Sequence, residues 1–351
     1  MQFEIDYLGV GNGENSGDAI GIRFGNLSAK DPAQQHIVII DGGYKESGEE
    51  LVQHIKDLYG TNYVDLMIST HPDGDHIAGL AVVIQRLTVQ TLLMHKPWTR
   101  PVSNDLNKEV AAAKKSCAQA VDLEDLAARK GVTIAEPFAG GSIQFTDQAQ
   151  MIILGPDEDY YTGLLGGFEH NKDFEEIIKH AFERSISGTA AILKSIKESL
   201  DPTSETLDHV HKNTSNENNS STVLYFNIAG HGLLFTGDAG IEALHRAADY
   251  AANLGLDLTN LRFLDVPHHG SKHNVDTALL DRVNAQTAYI SAAAASKKHP
   301  SPRVVNALLR RGMNVFTTQN GGIRHNFNSP ARPNWSPIQP LTFVEEFEDE
   351  D

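Results

Sequence analysis

Thr70-His71-Pro72-Asp73-Gly74-Asp75-His76 carries the densest chemistry in the chain. Four side chains able to bind divalent metals, His71, Asp73, Asp75 and His76, fall within six residues, directly after the apolar run 64–69. Imidazole nitrogens and carboxylate oxygens suit such ions, and a turn rather than a helix lets alternate residues converge. One ion does not need all four together with distant partners, so the density points to two. A polar surface loop with chance histidines is the plain alternative, and the acids and histidines recurring downstream weigh against it. On either side the pattern predicts a strand over 64–69 and a helix from near 76 to 87. That is a strand-loop-helix setting, which places functional residues at a strand's carboxyl end.

The same alternation extends outward and predicts an α/β chain. Strands are expected over 3–10 and 19–24, joined by a turn at 11–17, and over 36–40, which stops at Asp41-Gly42-Gly43. Helical spacing covers 49–58 and 104–130, and strands follow near 143–145 and 150–154. Residues 157–217 change character: polar, with an amphipathic helix near 173–200 and a run from His211 to Glu217 rich in Asn, Ser and Thr. They read as an insertion, whether lid, oligomer contact or solvated filler. Strands resume over 222–228 and 232–236 before Gly237-Asp238, then a helix from 241 and a strand over 262–266 lead into Pro267-His268-His269-Gly270-Ser271-Lys272. A helix near 277–283, a strand over 287–291, the loop His299-Pro300-Ser301-Pro302, a helix to 311 and a strand near 314–318 complete the pattern. Gly9, Gly11 and Gly13 after the first strand do not meet the dinucleotide fingerprint, because a strand rather than a helix follows.

Composition narrows the function. With 29 basic and 46 acidic residues among 351, the formal charge is −17. Six acids (Glu345, Glu346, Glu348, Asp349, Glu350 and Asp351) form a C-terminal run, expected to be a disordered tail, and without it the balance is −11. So acidic a body excludes a simple basic-patch DNA binder and leaves a metal site that handles anions locally. A single cysteine, Cys117, permits no internal disulfide and reads as a small buried hydrophobe in an intracellular protein. With no signal-peptide pattern and no apolar run of about 18 residues, the expectation is a soluble, cytoplasmic chain with no membrane partner.

His71-x-Asp73-x-Asp75-His76 resembles the metal motif of the metallo-β-lactamase superfamily in its HxDxDH form. The surrounding series resembles the soluble hydrolase domain of ComEC-type DNA-uptake proteins: Leu8-Gly9-Val10-Gly11-Asn12-Gly13 with Asp18-Ala19-Ile20, Asp41-Gly42-Gly43, Ser220 after asparagines, Leu234-Phe235-Thr236-Gly237-Asp238, Val266-Pro267-His268-His269-Gly270-Ser271 and His299-Pro300-Ser301-Pro302. The ordered set runs from about 8 to 318. It implies a four-layer αββα sandwich over 1–343 with a mainly helical insertion at 157–217 and an acidic tail at 344–351. It further implies that His71 and Asp73 hold one ion and Asp75 and His76 a second, with Asp238 bridging, His268 completing the shell and Asp41 hydrogen-bonded behind. Asp73 and Asn218 or Asn219 stand where many superfamily members have histidine, departures that weaken a lactamase assignment rather than the fold.

Oxygen in place of imidazole makes the first site harder, which favours Mn²⁺ or Mg²⁺ there, although affinity order favours Zn²⁺. Two ions about 3.5–4 Å apart generate a bridging hydroxide and clamp both oxygens of a phosphodiester displacement. In that scheme Asp75 orients the hydroxide, and Lys272 and Ser271 serve a phosphate oxygen. His269, His273 and His299 are candidates to protonate the leaving group. His269 reads equally as structural and His273 as a solvated loop residue. His36, His95, His231 and His325 lack partners in sequence and read as structural or surface groups, as do His209 and His211. The expected function is a dinuclear metal-dependent phosphodiesterase or nuclease acting on DNA, RNA or a nucleotide. A lactone, thioester or amide hydrolase is the alternative, or a non-catalytic protein whose insertion and tail contact a protein partner or a second copy. The remaining acidity favours a short strand, a chain end or a small nucleotide over duplex held along a groove.

Overall fold

The computed structural model describes residues 1–11, 13–29, 31–100, 117–168, 194–210, 214–333 and 335–349. Its strands are β1 (Gln2–Tyr7), β2 (Ala19–Gly25), β3 (Gln35–Gly42), β4 (Tyr63–Ile68), β5 (Thr88–Leu93), β6 (Thr133–Ala135), β7 (Ser142–Thr146), β8 (Ala149–Gly155), β9 (Lys194–Lys197), β10 (Val223–Ile228), β11 (His231–Phe235), β12 (Leu261–Asp265), β13 (Ala285–Ile290), β14 (Asn314–Thr317), β15 (Ile323–Phe327) and β16 (Glu346–Asp349). Among the described residues they form two seven-stranded sheets, ordered β15-β1-β2-β3-β4-β5-β6 and β14-β13-β12-β11-β10-β8-β7, and a β16-β9 pair. Both large sheets are mixed. Strands β3 to β6 pair in parallel, as do β11 to β14, while β1, β2, β10 and β15 pair antiparallel.

Side-chain patterning explains the layers. On β1, Phe3, Ile5 and Tyr7 alternate with Glu4 and Asp6, so one face of the strand is apolar. That face joins Ile20, Ile22, Val38 and Ile40 from the first sheet and Leu224, Phe226, Leu233, Phe235 and Phe263 from the second in a core between the sheets. The parallel strand β3 carries Ile37, Val38, Ile39 and Ile40 in succession, all buried, as expected of a strand covered on both faces. Helices Lys45–His54, Gly74–Arg86 and Ala118–Arg129 cover the outer face of the first sheet. Helices Ile241–Asn253, Thr277–Leu280 and Pro302–Arg310 cover that of the second. The result is the expected four-layer αββα sandwich.

Helix Gly74–Arg86 sits unusually close to the turn after β3. A Cβ on Gly79 would lie 1.9 Å from the Gly42 carbonyl oxygen, so only glycine permits the approach that seats the first turn of this helix.

Several expectations change. Strands β5, β6 and β15 lie outside the sequence pattern; β6 and β15 are short and at sheet edges. Only Ala118–Arg129 of the helix expected over 104–130 is described as helix, and 101–116 lie outside the described residues. Of the helix expected over 173–200, residues 173–193 lie outside them, and Lys194–Lys197 is a strand instead. The acidic tail is likewise ordered over 346–349, because β16 pairs with β9 and the apolar Ile196 and Phe347 are both buried there. No helix among the described residues is long and apolar enough to cross a membrane.

Candidate metal centre

The donors gather where parallel strands end. Asp41 is the penultimate residue of β3, and the segment from His71 to His76 follows β4. Asp238 follows β11, His268 and His269 follow β12, and His299 follows β13. Both sheets therefore contribute. Their loops meet at Gly237, where a Cβ would stand 2.9 Å from Thr70 Oγ1 and φ is +49°, both of which call for glycine. Thr222 N donates to the Thr70 carbonyl across the same seam at 3.0 Å. Asp73 occupies the N-cap of helix Gly74–Arg86 but caps nothing with its side chain. Its Oδ2 instead lies 3.7 Å from His71 Nε2. Asp75 stands in the first turn of the helix, and its carboxylate is 30% exposed.

Hydrogen bonding orients the rings. His76 Nδ1 donates to Asp41 Oδ2 at 2.8 Å. Asp41, fully buried, also accepts from Thr70 N at 2.8 Å and Thr70 Oγ1 at 2.6 Å. Because the Thr70 hydroxyl spends its hydrogen on Asp41, His71 Nδ1 is the donor to Thr70 Oγ1, at 3.0 Å. His268 Nδ1 donates to Asn274 Oδ1 at 2.9 Å. Behind His269, Asp18 Oδ1 stands 3.5 Å from Nδ1. All four Nε2 atoms then point to one carboxylate. Asp238 lies 3.9 Å from His71 Nε2, 3.5 Å from His76, 3.7 Å from His268 and 3.9 Å from His269.

The electrostatics follow from crowding carboxylates and imidazoles in a buried space. Burial alone would raise Asp238, but His76, His268 and His269 hold it well below the usual carboxylate range. Burial would lower His269, but Asp238 and Asp18 push it up to about 9. His76 is likewise raised by Asp238, Asp41 and Asp75 against its burial. Asp73, partly exposed, is raised by its partial desolvation and by the neighbouring Asp75 and Asp238. Burial together with the neighbouring His268 and His269 depresses His299 to about 3.

This set fits divalent cations. His71 Nε2, His76 Nε2, both nitrogens of His269, Asp18 Oδ1 and Asp238 Oδ1 are buried with no hydrogen-bond partner. Each unsatisfied buried polar atom costs about 1–3 kcal/mol, and here they converge rather than scatter. Three ligand-competent groups emerge: Asp41 with His71 and His76, Asp75 with His76 and His269, and Asp18 with Asp238 and His269.

Of the residues singled out in sequence, His71, Asp73, Asp75, His76, Asp238, His268 and His269 converge, with Asp41 behind. His299 packs beside them, its ring 5.7 Å from His268 and 6.3 Å from His269. Ser271 is buried below the loop and accepts from His273 N at 3.2 Å. Lys272 and His273 are half-buried on that loop. Asn218 donates to Thr214 Oγ1 and lies 3.4 Å from His268 Nδ1, whereas Asn219 turns away to the Ser215 carbonyl. His209 is exposed, and His211 lies outside the described residues. The sequence series includes Asp18 without giving it a role, and it does not include Asn274. Asp18 had a signal, a lone acid between a glycine-rich turn and an apolar strand. Asn274 had none.

Residues 34–294 match the family model described as the metallo-beta-lactamase superfamily. The chain belongs to this superfamily. Among curated proteins it is 23% identical over 343 residues to ComE operon protein 3 of Bacillus subtilis (strain 168). The match covers 93% of the present chain and 33% of that protein, so the chain spans about a third of its relative's length. The solved structures it resembles are more distant in sequence. A diphosphatase of the PhnP family is 10% identical, with a TM-score of 0.41, covering 93% of this chain and 98% of the other. Zn²⁺-bound PqqB from Methylobacterium extorquens is 8% identical, with a TM-score of 0.45, covering 92% and 100%. The fold is that of metal-dependent hydrolases in general, with His and Asp clusters placed to bind metal.

Proposed function

We propose that this chain is a dinuclear metal-dependent phosphodiesterase that acts on nucleic-acid ends or nucleotides. The observation that carries the reading is the convergence of four Nε2 atoms on Asp238, with the Asp73 carboxylate 3.7 Å from His71 Nε2 and the Asp75 carboxylate 4.0 Å from His76 and His269 Nε2. His71, Asp73 and His268 would hold one ion, Asp75, His76 and His269 the other, and Asp238 both. Such ions supply Lewis acidity and lower the pKa of bound water to about 7. This assigns His269 to the donor set rather than to proton delivery, since its Nε2 lies 4.0 Å from Asp75 Oδ2. The partly exposed Asp75 remains within reach of a water or substrate proton. Lys272, on the same loop as the histidine pair, would face an anionic oxygen.

The carboxylate of Asp73, where many superfamily members have histidine, and the likeness to ComEC-type proteins support a phosphodiester over a lactone or thioester. A small substrate is favoured by the net charge of −17. The test is hydrolysis of bis(p-nitrophenyl) phosphate and of single-stranded and duplex oligonucleotides with added Mn²⁺ or Zn²⁺. Asp75→Ala and Asp238→Ala should each lose more than the roughly 10–100-fold that removing an outer partner of a metal ligand costs. Hydrolysis of lactones or thioesters with no phosphodiester turnover would overturn the reading.

A further inference from the structure

Asn274 is fully buried, six residues past His268, and its orientation is fixed from two sides. Nδ2 donates to the Asp238 main-chain oxygen at 2.9 Å and to that of Ala239 at 3.3 Å. Carbonyls only accept, so the amide nitrogen must face them. Oδ1 is thereby turned to His268 Nδ1, at 2.9 Å. An amide oxygen also only accepts, so Nδ1 carries a hydrogen and the lone pair of neutral His268 is on Nε2, which faces Asp238 Oδ2 at 3.7 Å. Asn218 does not compete. Its Nδ2 approaches the same Nδ1 at 3.4 Å, donor to donor, and is engaged by Thr214 Oγ1 at 2.8 Å. A single amide thus sets the tautomer of one candidate ligand and grips the main chain of another.

We infer that Asn274 is a positioning residue of the metal centre, acting through His268 by holding its Nε2 lone pair toward Asp238. The inference rests on the metal-centre reading above. His71 and His76 have their Nδ1 partners immediately before the metal loop or at the end of β3. His268, by contrast, is served by a residue of its own loop, so loss of Asn274 leaves the other rings in place and frees this one to rotate or change tautomer.

The test is titration of metal-free protein with Co²⁺ alone, followed by calorimetry and by the visible absorption of the bound ion. Wild type, Asn274→Leu, His268→Ala and the double variant are compared. Asn274→Leu should weaken one class of Co²⁺ site by about 10–100-fold and shift its absorption bands. His268→Ala should weaken the same class, and the double variant should lose clearly less than the two single losses combined. Unchanged Co²⁺ binding in Asn274→Leu, or additive losses in the double variant, would overturn the inference. Should Asn274→Leu fail to fold, Asn274→Ser, too short to reach Nδ1, must show the same loss and the same non-additivity. A wild-type chain that binds no Co²⁺ removes the metal-centre reading itself, whereas normal wild-type binding with unaffected variants removes only the role of Asn274.

Discussion

Asp41 accepts three hydrogen bonds, from Thr70 N, Thr70 Oγ1 and His76 Nδ1, with no exposure to water. Asparagine at this position keeps the shape and tolerates the left-handed backbone (φ +52°), but it turns an N–H toward donors. Asp41→Asn should therefore lower the stability of the metal-free chain by about 1–3 kcal/mol in urea melts. Its metal affinity should fall about 10–100-fold by calorimetry. The carboxylate was legible in sequence because an apolar strand ends at it, as were the ligands of the 70–76 loop. The tautomers were not, since each depends on what the partner of Nδ1 can donate, which only three dimensions reveal. Histidines outside the centre make a second case. His95 stacks on Tyr161 and His325 packs between Phe3 and Tyr289; burial, helped by Arg100 and Arg262 respectively, holds each at about 3. Both are neutral when folded, while the unfolded chain takes up their protons below about pH 6.5. Their contribution is constant above that value and is lost as pH falls from about 6.5 toward 3, at up to about 1.4 kcal/mol per pH unit for each. Urea melts between pH 7.5 and 5 should show a shallower decline for His95→Phe than for wild type. Parallel declines would show that His95 does not stay neutral in the fold.

The C-terminal segment is where sequence and structure diverge at the level of elements. Glu345, Glu346, Glu348 and Asp349 read as solvated, but Phe347 between them supplies one buried side chain to a strand that needs only one apolar face. The partner strand β9 brings Ile196, and Lys197 reaches Glu346 at 3.7 Å. Composition is dominated by the charges on the outer face and so conceals the pairing. The segment is also held by Asn306, which donates to the Val344 carbonyl at 2.9 Å and accepts from Val344 N at 3.0 Å. Glu198 N donates to the Glu345 carbonyl at 2.9 Å, and the Glu198 carboxylate is in turn held by Thr206, Asn306 and Arg310. Deleting 344–351 removes the burial of Phe347 and leaves Asn306 half-satisfied. The expected loss is about 3–5 kcal/mol of unfolding free energy, from one aromatic side chain and two or three hydrogen bonds. A tail that merely solubilises the chain would leave the denaturation midpoint where it is.

At the scale of the molecule, the centre lies where loops of the two sheets meet beyond the apolar core between them. His71, Asp73, Asp75 and His76 come from the first sheet, and Asp238, His268 and His269 from the second. The net charge also takes on a different meaning. Asp18, Asp41 and Asp238 are buried at the centre, and Glu4 and Asp6 are buried against Arg23, Arg324 and Arg332, so part of the acidity never faces solvent. Without divalent ions, Asp238 is balanced by raised histidines, and in the proposed centre metal binding would displace those protons and tie the halves together. Ligand that binds only the folded state stabilises by mass action, about 2.7 kcal/mol at a hundredfold excess over Kd. Chelator-treated protein should therefore melt below the same protein supplied with Mn²⁺ or Zn²⁺. Asp238→Ala should remove most of that difference, because Asp238 is the carboxylate that all four Nε2 atoms share. Lys272→Ala should keep the metal-dependent rise in Tm, because its role is toward substrate. A rise retained in full by Asp238→Ala would place the ions on one half of the molecule and not across the seam.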